Sequence, residues 1–87
     1  MQYKNYKIYS IENYLIVEEL ETNKKYKIKV LEDKSRTWAW KFNKKSITAI
    51  GGVDKIIKTL YENIKDNFAN CWTNDIIKFT LEAGESF

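Results

Sequence analysis

The sequence predicts an α+β domain: an antiparallel sheet of about five strands with one amphipathic helix packed on one face. Three observations predict it. Short segments rich in Tyr, Ile and Val recur through residues 6–50, and polar turns separate them. The pair "GG" at 51–52 then changes the hydrophobic period from two to three-and-four. The chain of 87 residues has no proline, no Gly/Ser-rich linker and no repeat, so one domain over 1–87 is expected.

Each element follows in order. "YKIYSI" (6–11) and "NYLIVEEL" (13–20) carry the Tyr and branched aliphatics of a pleated surface. "ETNKK" (21–25) reads as a hairpin turn, because Asn23 tolerates the left-handed conformation at low cost. "KYKIKVL" (25–31) is the clearest strand: Tyr26, Ile28 and Val30 point one way, Lys25, Lys27 and Lys29 the other. "EDKS" (32–35) is a polar turn, "RTWAWKF" (36–42) a strand, and "NKKS" a bend before a short "ITAI" (47–50). In 53–68, Val53, Ile57, Leu60, Ile64 and Phe68 recur at helical spacing, and Ile56 and Tyr61 widen the stripe. Asp54 suits the start of that helix, and Asn70 its end. "TND" (73–75) reads as a turn and "IIKFTL" (76–81) as a last strand with Ile77, Phe79 and Leu81 on one face; "EAGESF" reads as a loose tail. Short polar turns between successive strands imply antiparallel neighbours.

One helix of this length is roughly 24 Å long and 10 Å across. Five strands make a sheet about 24 Å wide, so the helix covers one face at most. Yet Tyr14 and Ile16 oppose Leu15 and Val17, and Tyr6 and Ile8 oppose Tyr9 and Ile11. Three outcomes absorb this apolar surplus: a curled, barrel-like closure, a homodimer interface, or a surface for another partner. On the aromatic strand, Arg36, Trp38, Trp40 and Phe42 share one face, and Lys41 lies on the other. Two readings stand: core against the helix, or a platform in which Arg and the indoles anchor a partner or stack bases. The candidate binding residues are therefore Arg36, Trp38, Trp40 and Lys41 with Lys25, Lys27 and Lys29. Trp72 reads as a packing residue beyond the helix, and Cys71 as a small buried one.

Composition narrows the chemistry. The chain has no His, one Cys and a net charge of +3. That removes the commonest general base and the usual zinc ligand set. "IGGV" lacks the spacing and the lysine of a phosphate loop. Glu18 and Glu19 alternate across a strand and do not converge on a metal, and a Glu19, Lys27 and Lys29 nuclease site has no spacing to single it out. No catalysis, cofactor or metal is expected. No apolar run reaches the ~18 residues of a membrane span, so a cytoplasmic chain without membrane contact is expected. The only Arg is Arg36, and the bias to Lys, Asn, Ile and Tyr matches a low-GC coding sequence.

Four antiparallel strands followed by an amphipathic helix are similar in order to PC4-like single-stranded-DNA-binding proteins, with "KKSITAIGGVDKIIKTLYENI" (44–64) in the place of their last strand and helix. The strand expected at 76–81 lies outside that pattern. The resemblance implies single-stranded nucleic-acid binding, with lysines on phosphates and aromatics on bases. The leading expectation is instead a small non-enzymatic protein-binding module. Its size and composition resemble phage and mobile-element accessory proteins that inhibit a host defence protein by occupying its site. The partner is another protein or a second copy, with nucleic acid as the alternative.

Overall fold

A computed structural model describes residues 1–32, 40–65 and 71–87. Its architecture is a mixed sheet with two helices laid on one face. The strands are β1 (Gln2–Tyr3), β2 (Tyr6–Ile11), β3 (Tyr14–Glu19), β4 (Lys24–Glu32), β5 (Trp40–Phe42), β6 (Ser46–Ala49) and β7 (Glu85–Ser86). The helices are α1 (Gly52–Lys65) and α2 (Cys71–Ala83). The sheet order is β1-β2-β3-β4-β6-β5, with β7 added on β4.

β2, β3 and β4 form the antiparallel meander that period-two patterning predicts. Tight turns join its strands, and Glu12 and Asn23 take up positive φ there, Asn23 at 59°, as does Lys4 in the turn from β1 into β2. β4 and β6 are parallel, which corrects the expectation of an all-antiparallel sheet. The cause is a skipped position: β5 lies outside β6 and pairs with it as a hairpin, so β6 returns in the direction of β4. Asn43 braces that hairpin. Its backbone N–H donates to the Ser46 carbonyl at 2.8 Å, and its side-chain amide donates to Ser46 Oγ and Thr48 Oγ1 at 3.1 and 2.7 Å. The strand expected over 36–42 is seen only as β5; residues 33–39, with Arg36 and Trp38, lie outside the described residues. Among the described residues the sheet has two ends, β1 and β5, that do not pair with each other, so these strands form an open sheet and not a closed barrel.

Gly51 and Gly52 adopt φ of 83° and 71°, a region costly for side chains bearing Cβ, and they turn the chain from β6 into α1. Val53, Ile56 and Leu60 of α1 are buried as the stripe predicts, and Ile57 packs at their edge. Tyr61 does not join the stripe: it is 55% exposed. Phe68 and Asn70 fall outside the described residues.

The expected last strand is helical, and this is the main correction to the single-helix prediction. Thr73, Ile76, Ile77 and Thr80 of α2 are buried at spacings of three and four. Two of the four are Thr, so the helical stripe does not register as hydrophobic, whereas Ile77, Phe79 and Leu81 mimic a strand period. Thr80 Oγ1 donates to the Ile76 carbonyl at 2.8 Å, one turn back, which satisfies a hydroxyl with no exposure to water. Gly84 ends α2. Its N–H donates to the Thr80 carbonyl, and a Cβ there would stand 2.4 Å from that oxygen and 2.8 Å from the Lys27 carbonyl. Only glycine lets the chain pass this close to β4. The expected loose tail is therefore a short strand, β7, pairing Ser86 with Tyr26 and Glu85 with Lys27.

Ile8, Leu15, Val17, Ile28, Val30, Ile47 and Ala49 of the sheet meet Val53, Ile56, Leu60, Ile76 and Ile77 of the helices in one cluster. Both helices therefore cover the same face.

Candidate binding face

The other face of the sheet carries no helix among the described residues. Register determines which side chains reach it, since cross-strand partners share a face. Three rows run across β2, β3 and β4: Lys7–Glu18–Lys25, Tyr9–Ile16–Lys27 and Ile11–Tyr14–Lys29. Leu31, Thr48 and Lys41 extend the face over β6 and β5, and Glu85 joins it beside Lys27. Lys7, Lys25, Lys27, Lys29 and Lys41 thus face Glu18 and Glu85, and the face is basic.

Apolar groups sit among these charges. Ile11 and Leu31 are 49% and 41% exposed. Ile16 is only 1% exposed although no helix covers it, because Tyr14, Lys27 and Phe87 gather with it around one cleft. Lys27 Nζ lies 4.9 Å from the centre of the Tyr14 ring and 5.5 Å from that of Phe87. Lys7 Nζ lies 5.8 Å from the Tyr9 ring centre. Ammonium groups over ring faces keep the lysine stems flat on the sheet and their charges at its surface.

Of the predicted binding residues, the structure gathers Lys25, Lys27, Lys29 and Lys41 on this face. Arg36 and Trp38 lie outside the described residues. Trp40 points the other way, which excludes it from a platform on the open face. Its partner in register is buried Ala49, and its ring meets Trp72 of α2 edge-on at 4.7 Å. Phe42, on the same face of β5, stacks on Phe79 of α2 at 4.6 Å. Within β5, Trp40 and Phe42 therefore form a seam between the sheet edge and α2, and Trp72 packs there while staying 45% exposed. Cys71 belongs to α2, but its side chain is outside the described set. Tyr9, Tyr14, Ile11, Leu31 and Phe87 are the members of the open face that the aromatic strand distracts from. For Tyr9, Ile11, Tyr14 and Leu31 the signal in sequence is alternation, since each points away from the core positions of its own strand; Phe87 lies beyond β7 and carries no such signal.

A Glu19, Lys27 and Lys29 constellation does not form, because Glu19 lies in register with Tyr6 and Lys24 on the opposite face from the two lysines. Among the described residues no group of three His, Cys, Asp or Glu is placed to hold a metal ion, and no helix is long and apolar enough to cross a membrane. No protein-family model, curated protein or solved structure matches the chain.

Proposed function

We propose that the chain is a small non-enzymatic binding module that engages an acidic protein surface through the open face of its sheet. One observation carries the reading: exposed Ile11 and Leu31 lie among Lys7, Lys25, Lys27, Lys29 and Lys41 on a face that neither helix covers. Interfaces of this kind place apolar groups at the centre and charges at the rim. The charge argues against a second copy as occupant, since two such faces would bring lysines against lysines. Occupancy is then the mode of action, as expected of a phage or mobile-element accessory protein that blocks a site on a host protein.

A second reading, single-stranded nucleic acid, draws on Tyr9 and Tyr14 beside the same lysines. It is the weaker one. Ile11 and Leu31 have no stacking role, and Lys27 already occupies the Tyr14 and Phe87 ring faces. The test is affinity capture from nuclease-treated host lysate with wild type, Lys25→Glu/Lys29→Glu and a helix-side control, Lys58→Glu. The proposal expects a captured protein that the double variant loses and the control keeps. Capture that depends on intact nucleic acid, and falls steeply with salt, favours the second reading. Capture lost equally in the control contradicts both.

A further inference from the structure

The open face is divided into two unlike clefts, and their adjacency specifies the partner's chemistry. This inference rests on the open-face reading and sharpens it. The outer edge of β4 changes partner along its length. Tyr26 and Lys27 pair with β7, and the stretch from Lys29 to Glu32 pairs with β6. A notch of about 180 Å³ opens at the change, lined by Tyr14, Lys27, Lys29, Lys45, Ala83 and Glu85. Three lysines meet there with one carboxylate and a phenol, so the notch favours an anion. On the far side of Tyr14 and Lys27 lies a second cleft of about 210 Å³, lined by Ile11, Glu12, Tyr14, Ile16, Lys27 and Phe87. Ile11, the buried Ile16 and Phe87 are its apolar lining, with Glu12 and Lys27 as its charged members.

We infer that the open face recognises an acidic-apolar peptide segment, with an Asp or Glu carboxylate in the lysine notch and a neighbouring aliphatic or aromatic side chain in the Ile11–Ile16–Phe87 cleft. Tyr14 and Lys27 line both clefts, so one short segment can span the ridge between them. The ammonium of Lys27 is held by rings on both sides, which leaves Lys29 and Lys45, both exposed, to close on the carboxylate. A carboxylate there gains charge-assisted hydrogen bonds, and the apolar residue gains desolvation in a preformed cleft.

The test is selection of random linear peptides displayed against the folded full chain, followed by fluorescence anisotropy with the selected peptides as probes. Enriched sequences are expected to place Asp or Glu beside a large apolar residue. Their affinity should fall about tenfold in Lys29→Gln/Lys45→Gln and severalfold in Ile11→Ala, variants of exposed positions whose folding circular dichroism confirms. Replacing the peptide's acid by its amide should cost a similar factor in wild type and little in the lysine variant. Neutral peptides that bind the open face, losing affinity in Lys7→Gln/Tyr9→Ala but not in Lys29→Gln/Lys45→Gln, overturn the inference and leave the open-face reading intact. Peptides displaced only by Lys58→Glu overturn both. An oligothymidylate that binds more tightly than any selected peptide at the same salt, or selection without enrichment, also overturns it.

Discussion

Trp40 shows how one residue separates two roles for the same sequence. Its ring lies edge-on against Trp72 and its register partner is buried Ala49, so it fastens β5 to α2 and does not meet a partner on the open face. Trp40→Ala should therefore lower unfolding free energy by about 2 kcal/mol in urea denaturation, from lost burial and a lost aromatic pair. It should leave partner binding by the folded protein within a factor of two or so. Gly84 is the second decisive residue. A Cβ at Gly84 would press on the Thr80 and Lys27 carbonyl oxygens, which are backbone atoms and have little room to move. Gly84→Ala should cost about 2 kcal/mol or more. Amide exchange is the direct readout: the bond from Phe87 N–H to the Lys25 carbonyl, which ties the last residue to β4, should lose its protection first.

The elements differ in how legibly the sequence announces them. The strands β2 and β3 follow from short runs of Tyr and branched aliphatics between polar turns, while alternation is clean only in β4, where Ile28 and Val30 enter the core and Lys27 and Lys29 face away; β3 buries Leu15, Ile16 and Val17 in a row. Helix α1 follows from its stripe, and Leu60→Ala should cost ~2–4 kcal/mol, since Leu60 has no exposure and its loss leaves a cavity. Ile64, half-buried near the end of α1, should cost about half as much. Helix α2 is hidden because its buried stripe includes Thr73 and Thr80, which count as polar in any periodicity argument. The two threonines differ in how their hydroxyls are satisfied. Thr80 Oγ1 has its bond to Ile76, while Thr73 Oγ1 is buried without a hydrogen-bond partner among the described residues. Thr73→Val should thus raise stability by about 1 kcal/mol, since it replaces an unsatisfied hydroxyl by a methyl of the same shape; Thr80→Val should not gain as much. Thermal denaturation of the two variants side by side decides this. The position of β5 outside β6 is not legible either, because hairpin patterning states who is antiparallel to whom but not which edge a strand takes.

At the scale of the molecule, the two helices among the described residues crowd one face of the sheet and neither reaches the other. The existence of an uncovered face was legible from strands apolar on both sides. Which aromatics occupy it was not, because Trp40 and Tyr14 sit on equally plausible strand positions and only tertiary packing separates them. The face combines lysines with exposed aliphatics, and on the proposed function this combination is where a partner binds. The decisive measurement is hydroxyl-radical footprinting of the protein, free and in complex with its captured partner. Tyr9, Ile11, Tyr14 and Leu31 are expected to be protected, with Tyr61 and Trp72 on the helical side oxidised as before. Protection of Tyr61 and Trp72, with Tyr9 and Tyr14 unchanged, would contradict the proposed function.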